Sequence, residues 1–283
     1  MFERISYTWG LMRASWDLLR KDKALVLFPL FSGISCLVVM ASFAVPVFVT
    51  GAWHPPGKGA QAAHQVAYYG TLFAFYFCNY FVITFFNVGI IACAIERMQG
   101  GEPTVGFGFH AAASRLPLIL GWSLVAATVG LVLRIIEDRS ERVGEIVAGL
   151  LGMAWTVVTY LAVPVLVAER KGPIPAIKES ARLLRTTWGD QITGNFSFGL
   201  LFFLLSIPAF ALVAAGVYFG FMARSLALAA LCVSLAVAYL IALSLIQSAL
   251  QAIFQAAVYL YARDQQAPQG FPVTLLRDSM ERR

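Results

Sequence analysis

The sequence predicts an all-α fold: a polytopic membrane protein with six transmembrane helices and cytoplasmic amphipathic interfacial helices. Three observations predict it. Six apolar runs carry no Asp, Glu, Lys or Arg, and most match the roughly 20 residues that one crossing requires. Lys and Arg gather mainly between alternate runs. The chain is 59% hydrophobic and 13% charged, with mean hydropathy +0.75, far too apolar for an ordinary soluble domain. Hydrocarbon offers no partner to backbone amides, so spanning segments must be helices or closed barrels. The strict alternation over about ten residues that marks a barrel strand is absent from these runs.

In chain order the runs are 24–50, 66–94, 117–133, 147–167, 196–222 and 226–261. The first is too long for the apolar core of a signal peptide and follows a 23-residue amphipathic stretch, so it reads as a retained span. In that stretch Phe2, Ile5, Trp9, Met12, Trp16 and Leu19 repeat at helical spacing, with Arg4, Arg13 and Arg20 off the stripe. Run two is rich in aromatics and places Asn79 and Asn87 roughly on one side. Beyond run three, Arg134–Asp138 and Asp138–Arg142 are i,i+4 pairs that predict a helix continuing past the bilayer. Pro29, Pro46, Pro164 and Pro208 lie inside runs one, four and five, where a missing N–H predicts kinks. Run six is the longest. From Arg224 to Arg263 a helix extends about 58 Å, against roughly 40–45 Å for a bilayer with headgroups. It must tilt, break or project, and its glutamine-bearing half is a candidate oligomer seam.

Orientation follows from the basic residues. Of 21 Lys and Arg, only Lys58, Arg134, Arg139, Arg142 and Arg224 fall on one side of the runs. The rest fall on the other, which predicts both termini in the cytoplasm of a multi-pass bacterial inner-membrane protein. The net charge of +6 then belongs to the membrane surface, and no nucleic-acid recognition motif accompanies it.

The chain reads as one membrane domain containing three copies of a unit, an amphipathic helix followed by a hairpin of two spans. The amphipathic helix 1–23 precedes hairpin 24–98. Residues 103–168 hold an interfacial helix and the second hairpin, 173–262 the third pair, and 263–283 the cytoplasmic tail. The third interfacial helix has Ile177, Ala181, Leu184 and Trp188 in register beside Lys178, Arg182 and Arg185. The middle one has Val105, Phe109, Ala112 and Leu116, weakened by Gly106 and Gly108. Leu11–Trp16 parallels Leu183–Trp188, with Ala113-Ser114-Arg115 at the matching middle position. Glu96-Arg97 and Glu169-Arg170 close runs two and four, and Pro103 and Pro173 follow, suited to starting the next helix.

The stretches 150–170 (LLGMAWTVVTYLAVPVLVAER) and 172–189 (GPIPAIKESARLLRTTWG), with Phe85-Phe86-Asn87, Ser15-Trp16 and Lys21-Asp22-Lys23, resemble a family of bacterial integral membrane proteins defined only as a domain of unknown function. The resemblance implies a six-helix inner-membrane protein and assigns no reaction. The layout is also similar, more loosely, to the Yip-family membrane proteins and to the membrane region of some glycerophosphodiester phosphodiesterases. No catalytic motif of the latter is present.

Function is far less legible. No Ser-His-Asp order, HExxH, phosphate loop or nucleotide fingerprint occurs, so no enzyme and no cofactor is expected. His54, His64 and His110 lack metal-ligand spacing, and Cys36, Cys78, Cys93 and Cys232 read as small apolar residues of the spans. The favoured reading is a non-enzymatic protein that engages lipid, preferentially anionic, or organises the membrane. Arg13, Trp16, Arg115, Arg182, Arg185 and Trp188 would contact headgroups. The alternative is a homo-oligomeric channel or transporter lined by Asn79, Asn87, Gln247, Gln251 and Gln255. Interhelical hydrogen bonding is the plainer role for those amides, and no acid lies in the spans to couple ions.

Overall fold

The computed structural model describes residues 13–50, 62–139, 143–187, 192–222 and 224–264. Those residues are helical, with short connections and no strand among them. Helix α1 covers 13–21, and a 3₁₀ turn, Lys23–Val26, leads into α2 (Leu27–Thr50). Then come α3 (Ala62–Met98), α4 (Val105–Ala113) and α5 (Leu116–Arg139). They are followed by α6 (Val143–Val158), α7 (Ala162–Glu169), α8 (Pro173–Thr187), α9 (Ile192–Phe221) and α10 (Leu226–Asp264). Six segments are long and apolar enough to cross a membrane: Leu27–Phe48, Ala63–Met98, Leu116–Asp138, Gly144–Glu169, Leu201–Phe221 and Leu226–Asp264. The fold is the six-span helical protein that the apolar runs predict.

Local chemistry sets most of the helix ends. Thr104 is extended and its side chain accepts a hydrogen bond from Phe107 N at 3.1 Å, capping α4. Pro103 therefore precedes the cap and does not start the helix as its spacing suggests, whereas Pro173 does open α8. Ser114 and Arg115 separate α4 from α5, so Leu116 belongs to α5 and not to the α4 stripe. The α5 extension is as expected: Arg134 pairs with Asp138 at 3.2 Å, and with Glu137 at 2.9 Å. Arg142 lies outside the described residues.

The fourth span is broken, where the sequence suggests a kink. Residues 159–161 form a turn between α6 and α7, and Pro164 falls in the first turn of α7, where its missing N–H costs nothing. A continuous helix would instead need a Pro164 N–H to satisfy the Tyr160 carbonyl four residues earlier.

Burial concentrates at one end of the molecule. The end of α3 (Val88–Met98), the α7 segment, the last turns of α10, the start of α2 and the inner faces of α1, α4 and α8 form one cluster. Helix α3 is its hub, touching α2, α4, α5, α7 and α10. At the tightest point Phe28 is wedged beside Gly89 and Gly108. A Cβ on Gly108 would lie 2.3 Å from Phe28 Cζ and 3.0 Å from the Gly89 carbonyl oxygen. Gly108, a liability for helix propensity, is what allows α3 and α4 to meet. Away from this end the hairpins expose large apolar side chains such as Leu37, Phe48, Leu150, Phe210 and Leu231.

Two sequence expectations about faces are revised. On α1 the covered residues are Ala14, Ser15, Leu18 and Leu19, and Trp16 is 38% exposed, so it does not share their buried stripe. On α8 the deepest are Ala176, Ser180, Leu183 and Leu184, a stripe rotated from Ile177 and Ala181 because small residues there meet the broken span. Residues Phe2 to Met12 lie outside the described residues. The long sixth span is one continuous 39-residue helix. Its last turns do not project as a free seam: nearly every residue from Ala249 to Ala262 is buried against the chain's own helices.

Candidate functional site

Side chains of the fold itself satisfy the two backbone groups freed by the break in span four. Gln255 Nε2 of α10 donates to the Tyr160 carbonyl, the group that Pro164 leaves without a donor. Ser180 Oγ of α8, fully buried, accepts from Leu161 N at 3.0 Å. Thus one of the predicted polar-stripe residues is a backbone cap. Asn79 is another locally satisfied amide, donating to the Phe75 carbonyl of its own helix at 2.9 Å. Asn87 and Gln247 are half-buried and Gln251 is exposed, so the five amides do not line one continuous surface.

Around this break lies a chain of polar contacts. Tyr259 of α10 donates to Glu169 Oε1 at 3.0 Å. Lys171 reaches Glu169 at 2.6 Å and Glu179 at 3.5 Å, and Glu179 also pairs with Arg182. The Arg182 hydrogen bond, and the charges of Arg182 and Lys171, hold the Glu179 carboxyl below its ordinary range although burial opposes this. Glu169 raises the Lys171 ammonium through a hydrogen bond. These acids pair with cations and link the end of α7 to α8. Glu179 and Arg182 are three residues apart on α8, whereas Tyr259 is 90 residues from Glu169 and no local spacing signals that contact.

The predicted headgroup residues divide into two groups. Arg13 and Trp16 on α1, and Arg182 and Arg185 on α8, are exposed on the faces opposite the buried stripes. Trp188 lies outside the described residues. Arg115 is different. Its Nε donates to the Val167 carbonyl at 3.0 Å, and its Nη1 to the Ala111 carbonyl at 2.8 Å and to Ser114 Oγ at 3.3 Å. It therefore ties the carbonyl ends of α4 and α7 together, the place where a cation complements a helix terminus.

Arg115 also lines a cleft of about 280 Å³ with Arg170, His110, Ser114 and Glu96, floored by Ala92, Ile95 and Val167. Arg170 closes α7 in the left-handed conformation, φ 50°. Burial, and then the neighbouring Arg170 charge, lowers the Arg115 guanidinium below its ordinary pKa. Arg170 makes no ion pair with any described residue. Glu96 lies folded against the Gly101 turn, close enough that a Cβ on Gly101 would be 2.5 Å from its Oε1. Among the described residues no group of three or more His, Cys, Asp or Glu is arranged to hold a metal.

A comparison with curated proteins finds no match. The model of a family of unknown function, DUF6159, matches residues 66–270, from the second span through the sixth and past its end. That match takes in α4, the broken fourth span, α8 and the arginine cleft, and it covers well over half of the chain: the protein is a member of the DUF6159 family.

Proposed function

We propose that this multi-pass membrane protein is non-enzymatic and engages anionic lipid. In this reading it lies in a bacterial inner membrane with both termini cytoplasmic. One observation carries the proposal: the two-faced helices α1 and α8 bury their small and apolar residues in the core and present Arg13, Trp16, Arg182 and Arg185 outward. Cations at headgroup depth attract anionic lipid at about 1 kcal/mol each, and an exposed tryptophan suits the interface. The polar residues of spans two and six give the channel alternative little support, since Asn79 and Gln255 spend their amides on backbone carbonyls.

The test is reconstitution of the full chain in nanodiscs of mixed phosphatidylcholine and phosphatidylglycerol, followed by analysis of the lipid retained. Wild type is expected to enrich phosphatidylglycerol over the input ratio. The triple variant Arg13→Glu, Arg182→Glu, Arg185→Glu is expected to lose that enrichment. Equal retention by both proteins would remove the proposal.

A further inference from the structure

We infer that the cleft between α3, α4 and the end of α7 is a discrete phosphate-group site in which Arg115 and Arg170 share one anion. The inference rests on the lipid-engaging reading and narrows it from a diffuse charged surface to a single binding position.

Four observations converge. First, two guanidiniums line the same small cleft, close enough that the Arg170 charge disfavours that of Arg115, and like charges are not brought together without cost. Capping of α4 and α7 accounts for Arg115. It does not account for Arg170 beside it, which has no carboxylate partner among the described residues. Second, the Arg115 head is fixed by three hydrogen bonds through Nε and Nη1, leaving Nη2 without a protein acceptor among the described residues. A planar guanidinium held in this way is a preorganised donor for phosphate oxygens. Third, His110 and Ser114 stand at the rim and add polar atoms of the kind that bind phosphate. Arg115 and Arg170 outnumber Glu96, so the lining is net positive.

The fourth observation concerns what the phosphate is attached to. Leu116, Leu120 and Leu124 are all exposed and recur every four residues down one face of α5, starting beside Arg115. Phe107, also exposed, lines the cleft on the α4 side. An acyl chain descending from a phosphate at the cleft would lie along this apolar track. A free phosphate would have no use for it. The cleft itself takes a phosphate and a small alcohol, not an acyl chain.

The experiment uses full-length protein delipidated in zwitterionic detergent, with binding of phosphatidylglycerol and phosphatidic acid counted by native mass spectrometry. Wild type is expected to retain one tightly bound phospholipid. Arg170→Gln, which leaves every hydrogen bond of Arg115 in place, should weaken that binding about tenfold, the effect of one charge-assisted contact. Arg224→Gln, the same charge loss at a residue outside the cleft, should not change it. Arg115→Gln also removes helix caps, so Arg170→Gln is the deciding variant. Displacement by millimolar sodium phosphate would assign the site to soluble phosphate; displacement by phospholipid alone would assign it to a lipid headgroup. The surface triple variant separates this inference from the broader reading: it should lose bulk enrichment and keep the single lipid. Wild-type binding by Arg170→Gln, equal loss in Arg224→Gln, or no retained phosphate compound in wild type would each overturn the assignment.

Discussion

At the scale of single residues, span four shows how one proline distributes its consequences. Pro164 withdraws the donor that the Tyr160 carbonyl would use, and Gln255 replaces it from another helix. A buried carbonyl left without a partner costs about 1–3 kcal/mol, so Gln255→Leu should destabilise the protein by that order in a detergent unfolding assay. In a Pro164→Ala background the chain regains an N–H at that position, and the same substitution should cost markedly less. Coupling between contacting residues is typically about 0.5–3 kcal/mol; strictly additive losses would mean that the proline does not create the need for the glutamine. Gly108 offers a second case. Any side chain there meets Phe28 and the Gly89 backbone, so Gly108→Val should cost more than the ~1–3 kcal/mol usual for overpacking, read as loss of a monodisperse species on purification. Neither role is legible in the sequence. Pro164 announces a disturbance, but its repair comes from residues 19 and 95 positions away from the affected backbone. Gly108 looks like a weak helix former because its merit lies in what approaches it.

At the scale of elements, the six spans and the three short helices are readable because apolar length and helical spacing are local properties. What eludes the sequence is rotation. Helical spacing puts Trp16 among the apolar residues of α1, yet it is exposed, and the α8 stripe turns toward Ala176 and Ser180, because contact with a particular neighbour, not the mean polarity of a face, chooses what is buried. The docking of α8 should also depend on pH. Glu179 has a folded pKa below its ordinary value, so its contribution is fully present above the unfolded carboxyl pKa of about 4.3 and is lost as pH falls through the lower folded value. Wild type should therefore exceed Glu179→Gln in melting temperature at pH 7, and the gap should close below about pH 4. A gap that persists undiminished well below that pH would mean that the carboxylate charge is not what holds α8.

At the scale of the whole molecule, the proposed orientation makes a labelling prediction. In a chain lacking Cys36, Cys78, Cys93 and Cys232, a cysteine at Lys58 should react with a membrane-impermeant thiol reagent added outside intact cells. A cysteine at Lys178 should react only after the membrane is opened. Reversed labelling would invert the topology and place the arginine cleft on the outer leaflet. The orientation is proposed from the charge distribution along the chain, whereas nothing in that distribution marks the cleft. In the sequence Arg115 stands out by its place in a repeated unit and Arg170 reads as a polar exit from a span; only the folded chain brings the two heads to one cavity.

Concentration of burial at one end has a mechanical corollary. The three hairpins are tied most tightly at that end; beyond it the first two still touch through α3 and α5, with Tyr76 and Tyr80 against Gly130, while much of the remaining surface is exposed and apolar. A thinner or thicker bilayer would therefore act first on the exposed hairpin ends while the knot, where Glu169, Lys171, Glu179 and Arg182 pair and the two cleft arginines lie, keeps its shape. Compliance sits where lipid is the neighbour, and rigidity where the polar groups need fixed positions.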